Sequence, residues 1–341
     1  MNWTANFDLE PGFLNTATLG VPPRGAFGEL NEILDSWRRG RLGAHDFDGY
    51  VDRARVAWAK ISMVEPNNVS IGATVSGLVG IVAASLPDSA KVLIASGDFT
   101  SVSFPFLVQS GRGVTTREVP LADLIDSIDD SIDLVAVSSV QSADGRVIDV
   151  EKLVSRARKY GVKVLLDTTQ SCGWLPIDCS LFDYTVCGGY KWLLSPRGVA
   201  FMSVKPALLE ALVPHGAGWY AGEDIWASIY GTPLRLAKDA RRLDTSPAWF
   251  SWVGAASAIE FLAQINLNEI YQHNVTLANS LLDALDLPKQ DSAIITLDRP
   301  DAGERLKSAG VRTSIRAGKV RASFHLYNNE NDVALAINAL K

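Results

Sequence analysis

The chain has 341 residues, 47% of them hydrophobic, so it can bury a large core and is neither a disordered segment nor a short binding module. Its formal net charge of −6 at pH 7 argues against nucleic acid or an anionic membrane surface as the main partner. Three cysteines, Cys172, Cys179 and Cys187, are too few for a disulfide framework and point to a reducing, cytoplasmic setting, and residues 1–13 hold no apolar run of the signal-peptide kind.

Residues 1–20 read as an extended entry with a polar turn at Asn15-Thr16-Ala17-Thr18. Residues 26–62 read as amphipathic helix, broken between Gly40 and Gly49. The most apolar stretch, residues 71–87, is rich in small residues and short for a membrane span, so it reads as a buried helix. Apolar runs at 91–96, 113–119, 133–140, 163–168, 184–188 and 198–204 then alternate with helical patterns. Several are apolar throughout, as strands buried on both faces of a mainly parallel sheet are. Asp149 and Gly161 bracket one intervening helix as cap and stop. A long helical stretch over 247–285 leads into a small α+β unit. There we expect strands at 293–297, 312–316 and 320–327 and helices at 302–308 and 331–340. The pattern predicts an α/β fold with an entry segment at 1–25, a large domain at 26–250 and a small domain at 251–341.

The chemistry concentrates in residues 163–204. Asp167 ends an apolar strand, and Gln170 follows it. Lys191 comes 24 residues after the acid, just past a second strand and the pair Gly188-Gly189. Ligands of open α/β sheets sit at such strand ends, and a desolvated lysine there becomes nucleophilic. Pyridoxal phosphate needs an amine for a Schiff base, an anion for its ring nitrogen and donors for its phosphate. Lys191 and Asp167 suit the first two. Spacing alone equally allows a strand-end cap and a surface lysine. The small-residue run from Ser70 to Gly77 would present backbone donors at a helix start, with Ala73 N–H and the Thr74 hydroxyl nearest a phosphate. A capped buried helix has the same pattern.

Together, Asp167-Thr168-Thr169-Gln170, Gly189-Tyr190-Lys191 and Pro196-Arg197-Gly198 resemble the class V aminotransferase-fold enzymes. That group includes cysteine desulfurases, kynureninases, isopenicillin-epimerase-like proteins and C–S lyases. In the same order along the chain, the 13–18 entry, Gly72-Ala73-Thr74, Thr245-Ser246-Pro247 and the 321–328 strand are similar to that family's pattern. The resemblance implies the aspartate-aminotransferase fold, with a mainly parallel seven-stranded large-domain sheet and a small α+β domain. It also implies pyridoxal phosphate as cofactor, an amino acid as substrate, no metal, and a homodimer sharing its active sites.

On that resemblance Lys191 would bind the cofactor covalently, Asp167 would pair with its ring nitrogen and Gln170 would bond its ring oxygen. Ala73, Thr74 and Tyr190 would hold the phosphate, with Ser246 lent by the partner subunit. Phe99 would stack on the ring where desulfurases place a histidine. Arg321 would clamp the substrate α-carboxylate, with Asn15 and Gln141 nearby. Arg316 is a candidate for a second anionic group. His325 is expected to share a strand face with Arg321, and the loop of His215 and Trp219-Tyr220, with Trp226 and Tyr230, is read either as bordering the site or as ordinary core packing. His45 and His273 read as surface positions. No cysteine follows Cys187, so the tail loop that carries the desulfurase nucleophile has none, and the three thiols read as buried and structural. The expected reaction is β-elimination of a cysteine S-conjugate. Transamination, epimerisation and a non-catalytic cofactor-binding role stand as alternatives.

Overall fold

The computed structural model describes residues 3–341. Two helices, α1 (Arg24–Arg38) and α2 (Asp48–Ser62), precede a seven-stranded sheet. Its strands and helices run β1 (Val69–Gly72), α3 (Val75–Ser85), β2 (Lys91–Ala95), α4 (Thr100–Leu107), β3 (Thr115–Val119), α5 (Leu121–Leu124), β4 (Leu134–Ser138), α6 (Val150–Tyr160), β5 (Lys163–Asp167), β6 (Tyr184–Gly188) and β7 (Ala200–Val204). The remainder is α7 (Trp249–Ala263), α8 (Leu267–Ala284), β8 (Ile294–Leu297), α9 (Ala302–Ser308), β9 (Ser314–Arg316), β10 (Lys319–Ser323) and α10 (Glu330–Leu340).

The large sheet has the order β1-β7-β6-β5-β4-β2-β3. The strands from β3 to β6 are parallel, and only β7 runs against its neighbours β6 and β1. β4, β6 and β7 are buried at every position, in keeping with their mostly apolar sequences, with Ser138, Thr185 and Ser203 as buried polar exceptions, whereas edge strand β3 is largely exposed. Helix α6 starts where Asp149 accepts the Lys152 N–H at 2.9 Å and stops at Gly161, whose φ of +68° suits glycine. The small domain pairs β8, β10 and β9 antiparallel.

Three expectations change. Residues 70–72 belong to β1 rather than to a turn, and the turn is confined to Ala73 and Thr74. The stretch over 247–285 is two helices, because Asn266 caps α8 by accepting the Asn268 N–H at 2.9 Å. The strand expected over 320–327 ends at Ser323.

Two tethers join segments that are far apart in sequence. The entry segment joins the small domain: Leu14 N–H donates to Arg312 O at 2.9 Å and Ser323 N–H to Leu14 O at 3.0 Å. The segment leading to Thr245 is fastened to β1 by Asp244, which accepts the Ile71 N–H at 2.8 Å and pairs with buried Arg55 at 2.6 Å.

Candidate active site

The C-terminal ends of β4, β5 and β6 and the start of α3 enclose a cavity of about 170 Å³. A cavity of about 150 Å³ holds a benzene ring, so a ring-sized ligand fits. The wall brings together Ala73, Thr74, Phe99, Asp167, Gln170, Tyr190 and Lys191, all expected from the sequence. A wider groove of about 1020 Å³ runs over the small domain, but its charged residues, among them Arg299, Lys307 and Arg312, are exposed.

Asp167 is buried and accepts the Thr169 N–H at 2.8 Å. Burial raises its carboxyl to about 6 and nearby Asp98 adds to this, against the lowering effect of the Thr169 bonds and Lys191. Burial lowers the Lys191 amine to about 8, helped by Arg321 and Arg316 and opposed by Asp167. The ammonium lies 5.2 Å from the Phe99 ring centre and 5.6 Å from that of Tyr190. Leu194 takes a left-handed conformation, φ +56°, and closes the turn onto the Lys191 carbonyl. Gly20 packs against the same carbonyl so closely that a Cβ there would lie 2.0 Å from it.

Thr74 caps α3, accepting the Gly77 N–H at 3.2 Å, so the first amides of this helix face the cavity mouth. Exposed Arg197 stands 5.3 Å from the centre of the Tyr190 ring, adding positive charge at the same end.

Gln170 is already engaged. Its Oε1 accepts the Trp192 indole N–H at 2.8 Å, and its Nε2 donates to Ala17 O and Ser142 Oγ. Ser142 in turn ties in Arg321, which donates from Nη1 to the Ser142 carbonyl and hydroxyl oxygens and from Nη2 to Thr18 Oγ1 at 2.8 Å. Arg321 is buried and has no acidic partner among the described residues. Burial and the nearby Arg316 charge bring it down to about 10. Among the buried polar atoms without a partner are Gln141 Nε2 and Asn15 Oδ1, although neither residue lines the cavity.

Several expectations are corrected. His325 does not share a strand face with Arg321, because β10 has ended. It is buried, takes the Leu326 N–H at Nδ1 and donates from Nε2 to Trp192 O at 2.9 Å. Burial keeps it neutral, down to about 4, so it braces the lysine loop. The aromatic loop contributes no wall: Tyr220 and Trp226 both donate to Asp48, and His215 and Tyr230 are exposed elsewhere. His45 is exposed as expected, but His273 is half-buried and bonded to Asn328 O at 3.0 Å. Ser246 is exposed and lines no part of its own chain's cavity. Sequence reasoning assigned no role to Ser138, Ser142, Thr169 or Arg197, which also line the cavity. Thr169 and Arg197 lie inside the family-like motifs. Ser138 ends β4 and Ser142 follows it, where a strand-end rule would have found them.

A buried amine with a depressed pKa, a buried carboxylate and a helix start in one ring-sized cavity, with the buried Arg321 guanidinium bonded to Ser142 of its wall, match the needs of a phosphorylated aldehyde cofactor. The fold and the site define an enzyme of amino-acid chemistry. The sequence pattern of the aminotransferase class-V family matches residues 108–303, more than half of the chain. The chain is similar to an uncharacterised aminotransferase, YcbU, of Bacillus subtilis (strain 168), 28% identical over 84% of this chain and 82% of that one. It is also similar to isopenicillin N epimerase of Streptomyces clavuligerus, 26% identical over 74% of this chain and 69% of that one. A solved structure described as the cystine C–S lyase C-DES with its product cysteine persulfide shares the fold, with TM-score 0.85, 20% identity and 97% of each chain covered. The chain belongs to the aminotransferase class-V family. It is an enzyme, with pyridoxal phosphate as its cofactor.

Proposed function

We propose that this enzyme cleaves the C–S bond of a cysteine S-conjugate by β-elimination, releasing a thiol and an enamine that water hydrolyses to pyruvate and ammonia. The observation that carries this reading is the state of the thiols. Cys172, Cys179 and Cys187 are all buried and none lines the cavity; burial pushes Cys179 and Cys187 well above the ordinary thiol range, while the contact with Cys187 lowers Cys172. A reaction that moves sulfur onto the protein needs an accessible thiolate; elimination needs only a base at Cα and a leaving group at Cβ.

In this reading Lys191 holds the cofactor, Asp167 faces its ring nitrogen and Phe99 covers the ring. Thr74, the Ala73 amide and Tyr190 hold the phosphate with Ser246 of a second copy in a homodimer. The cofactor, when bound, delocalises negative charge from the substrate Cα. Arg321 and the adjoining Gln141 and Asn15 receive the α-carboxylate, which fixes the Cα–H toward Lys191. Once the substrate amine has taken its place, the freed Lys191 amine, whose basicity burial lowers, would take that proton at Nζ. The thiolate then leaves Cβ with the electron pair of the C–S bond. Reduced thiols suit a cytoplasmic protein, and no helix among the described residues is long and apolar enough to cross a membrane.

The test is to incubate the holoenzyme with S-ethyl-L-cysteine and assay pyruvate and ethanethiol, alongside a variant with all three cysteines replaced by alanine or serine. Equal product formation by both is expected, and Lys191→Ala should form none. Reversible conversion of the cofactor to its amine form, restored by a keto acid, would show an aminotransferase. Loss of activity in the cysteine-free but folded variant would show persulfide chemistry. Either outcome overturns the proposal.

A further inference from the structure

Arg316 stands beside Arg321. β9 and β10 are paired so that Lys319 faces Arg316 and Arg321 faces Ser314. Both guanidiniums then turn to one oxygen, Thr18 Oγ1: Arg321 Nη2 at 2.8 Å and Arg316 Nη2 at 3.5 Å. With one shared acceptor the two nitrogens lie no more than ~6 Å apart, and two like charges at that separation repel. Neither arginine has a carboxylate within ion-pair distance among the described residues, whereas most other arginines of the chain do.

The cluster therefore has more positive charge than one carboxylate removes. A single α-carboxylate in a bidentate pair uses the fork of one arginine. Arg316 otherwise spends one donor on Ile315 O at 2.8 Å and one on Thr18, and its remaining N–H groups have no protein acceptor. Thr18 Oγ1 accepts from both arginines, so its own O–H is free to donate to an anion. Arg321 also donates to Ser142 Oγ, which Gln170 bonds as well, and Ser142 and Gln170 both line the cavity, so the pair adjoins the site and not a remote surface.

We infer that Arg316 is a specificity-determining residue that selects amino acids whose side chain ends in a second anionic group, a carboxylate or its equivalent, while Arg321 takes the α-carboxylate. The inference rests on the reading of the site as one for cysteine S-conjugates, and it names the class of conjugate. The bound distal anion would sit between Arg316 and the Thr18 hydroxyl. A conjugate with a neutral terminus would leave Arg316 unneutralised beside the filled Arg321 site.

The experiment compares two nearly isosteric ligands, S-carboxymethyl-L-cysteine and its amide, S-carbamoylmethyl-L-cysteine. Dissociation constants are measured on the holoenzyme by titrating the cofactor absorbance, and pyruvate release is assayed in parallel. The carboxymethyl compound should bind about tenfold more tightly or better, the scale of one charge-assisted hydrogen-bonded contact. Arg316→Gln should reduce that preference to within about twofold, and Arg316→Lys should keep part of it. Equal affinities in the unaltered enzyme, a preference that survives Arg316→Gln, or an equal loss for both ligands in that variant would each overturn the inference. The charge preference without pyruvate release would remove the elimination reaction and leave this assignment standing.

Discussion

Lys191 should titrate as a lysine of low basicity in the cofactor-free protein. With its amine at about 8 rather than the ordinary 10.5, roughly 9% is neutral at pH 7 instead of about 0.03%, a gain of about 300-fold in nucleophilic form. The same shift ties stability to pH. The unfolded chain binds this proton up to 10.5 and the native one only to about 8, so native stability rises with pH through that window. A penalty of about 3 kcal/mol, fully present below pH 8, is lifted by pH 10.5. The assay is the rate at which a small acylating reagent labels Lys191 between pH 6 and 11, with the site located by peptide mass mapping. A midpoint near 8 is expected. Asp167→Asn should move the midpoint down by removing the counter-charge, and Arg321→Gln should move it up by removing a like charge. A midpoint at 10 or above, or labelling at pH 7 no faster than that of exposed lysines, would refute the argument from burial.

Arg321→Ala should weaken binding of an amino-acid ligand to the holoenzyme by about 1.5–3 kcal/mol, read by absorbance titration, with cofactor affinity nearly unchanged. Gly20→Ala places a methyl group 2.0 Å from the Lys191 carbonyl oxygen, so it should cost about 1–3 kcal/mol in thermal or denaturant unfolding. It should also shift the labelling midpoint of Lys191. Asp244→Ala strands the buried Arg55 guanidinium and frees β1 at the phosphate turn; a loss of about 3–5 kcal/mol in urea unfolding is expected.

The parallel core was legible because its strands are buried on both faces and so are mostly apolar rather than alternating. β1 was not: four residues that include Ser70 and Gly72 look like a turn, and only pairing with β7 makes them a strand. The break between α7 and α8 carries no glycine or proline. Its signal was the capping oxygen of Asn266. Asp167 and Lys191 could be found because both chemistry and sheet geometry put them at strand ends. The roles of Thr18 and Gly20 could not, since each acts on a residue more than a hundred positions away. His325 was misread because alternation was carried past Ser323. Beyond that point Asn328 Oδ1 accepts the His325 N–H and the chain turns.

The entry segment has a consequence for how the enzyme comes into being. Leu14 hydrogen-bonds with Arg312 and Ser323, and Gly20 donates to the Tyr190 carbonyl while it covers the Lys191 peptide. Residues near the beginning of the chain thus wait for strands that are synthesised roughly 300 residues later, about 15–60 s at ordinary elongation rates of ~5–20 residues per second. Until then Thr18 has no arginines to receive. Burial supplies the larger part of the amine's low basicity; the part that Arg321 and Arg316 add arrives only once β9 and β10 have been made.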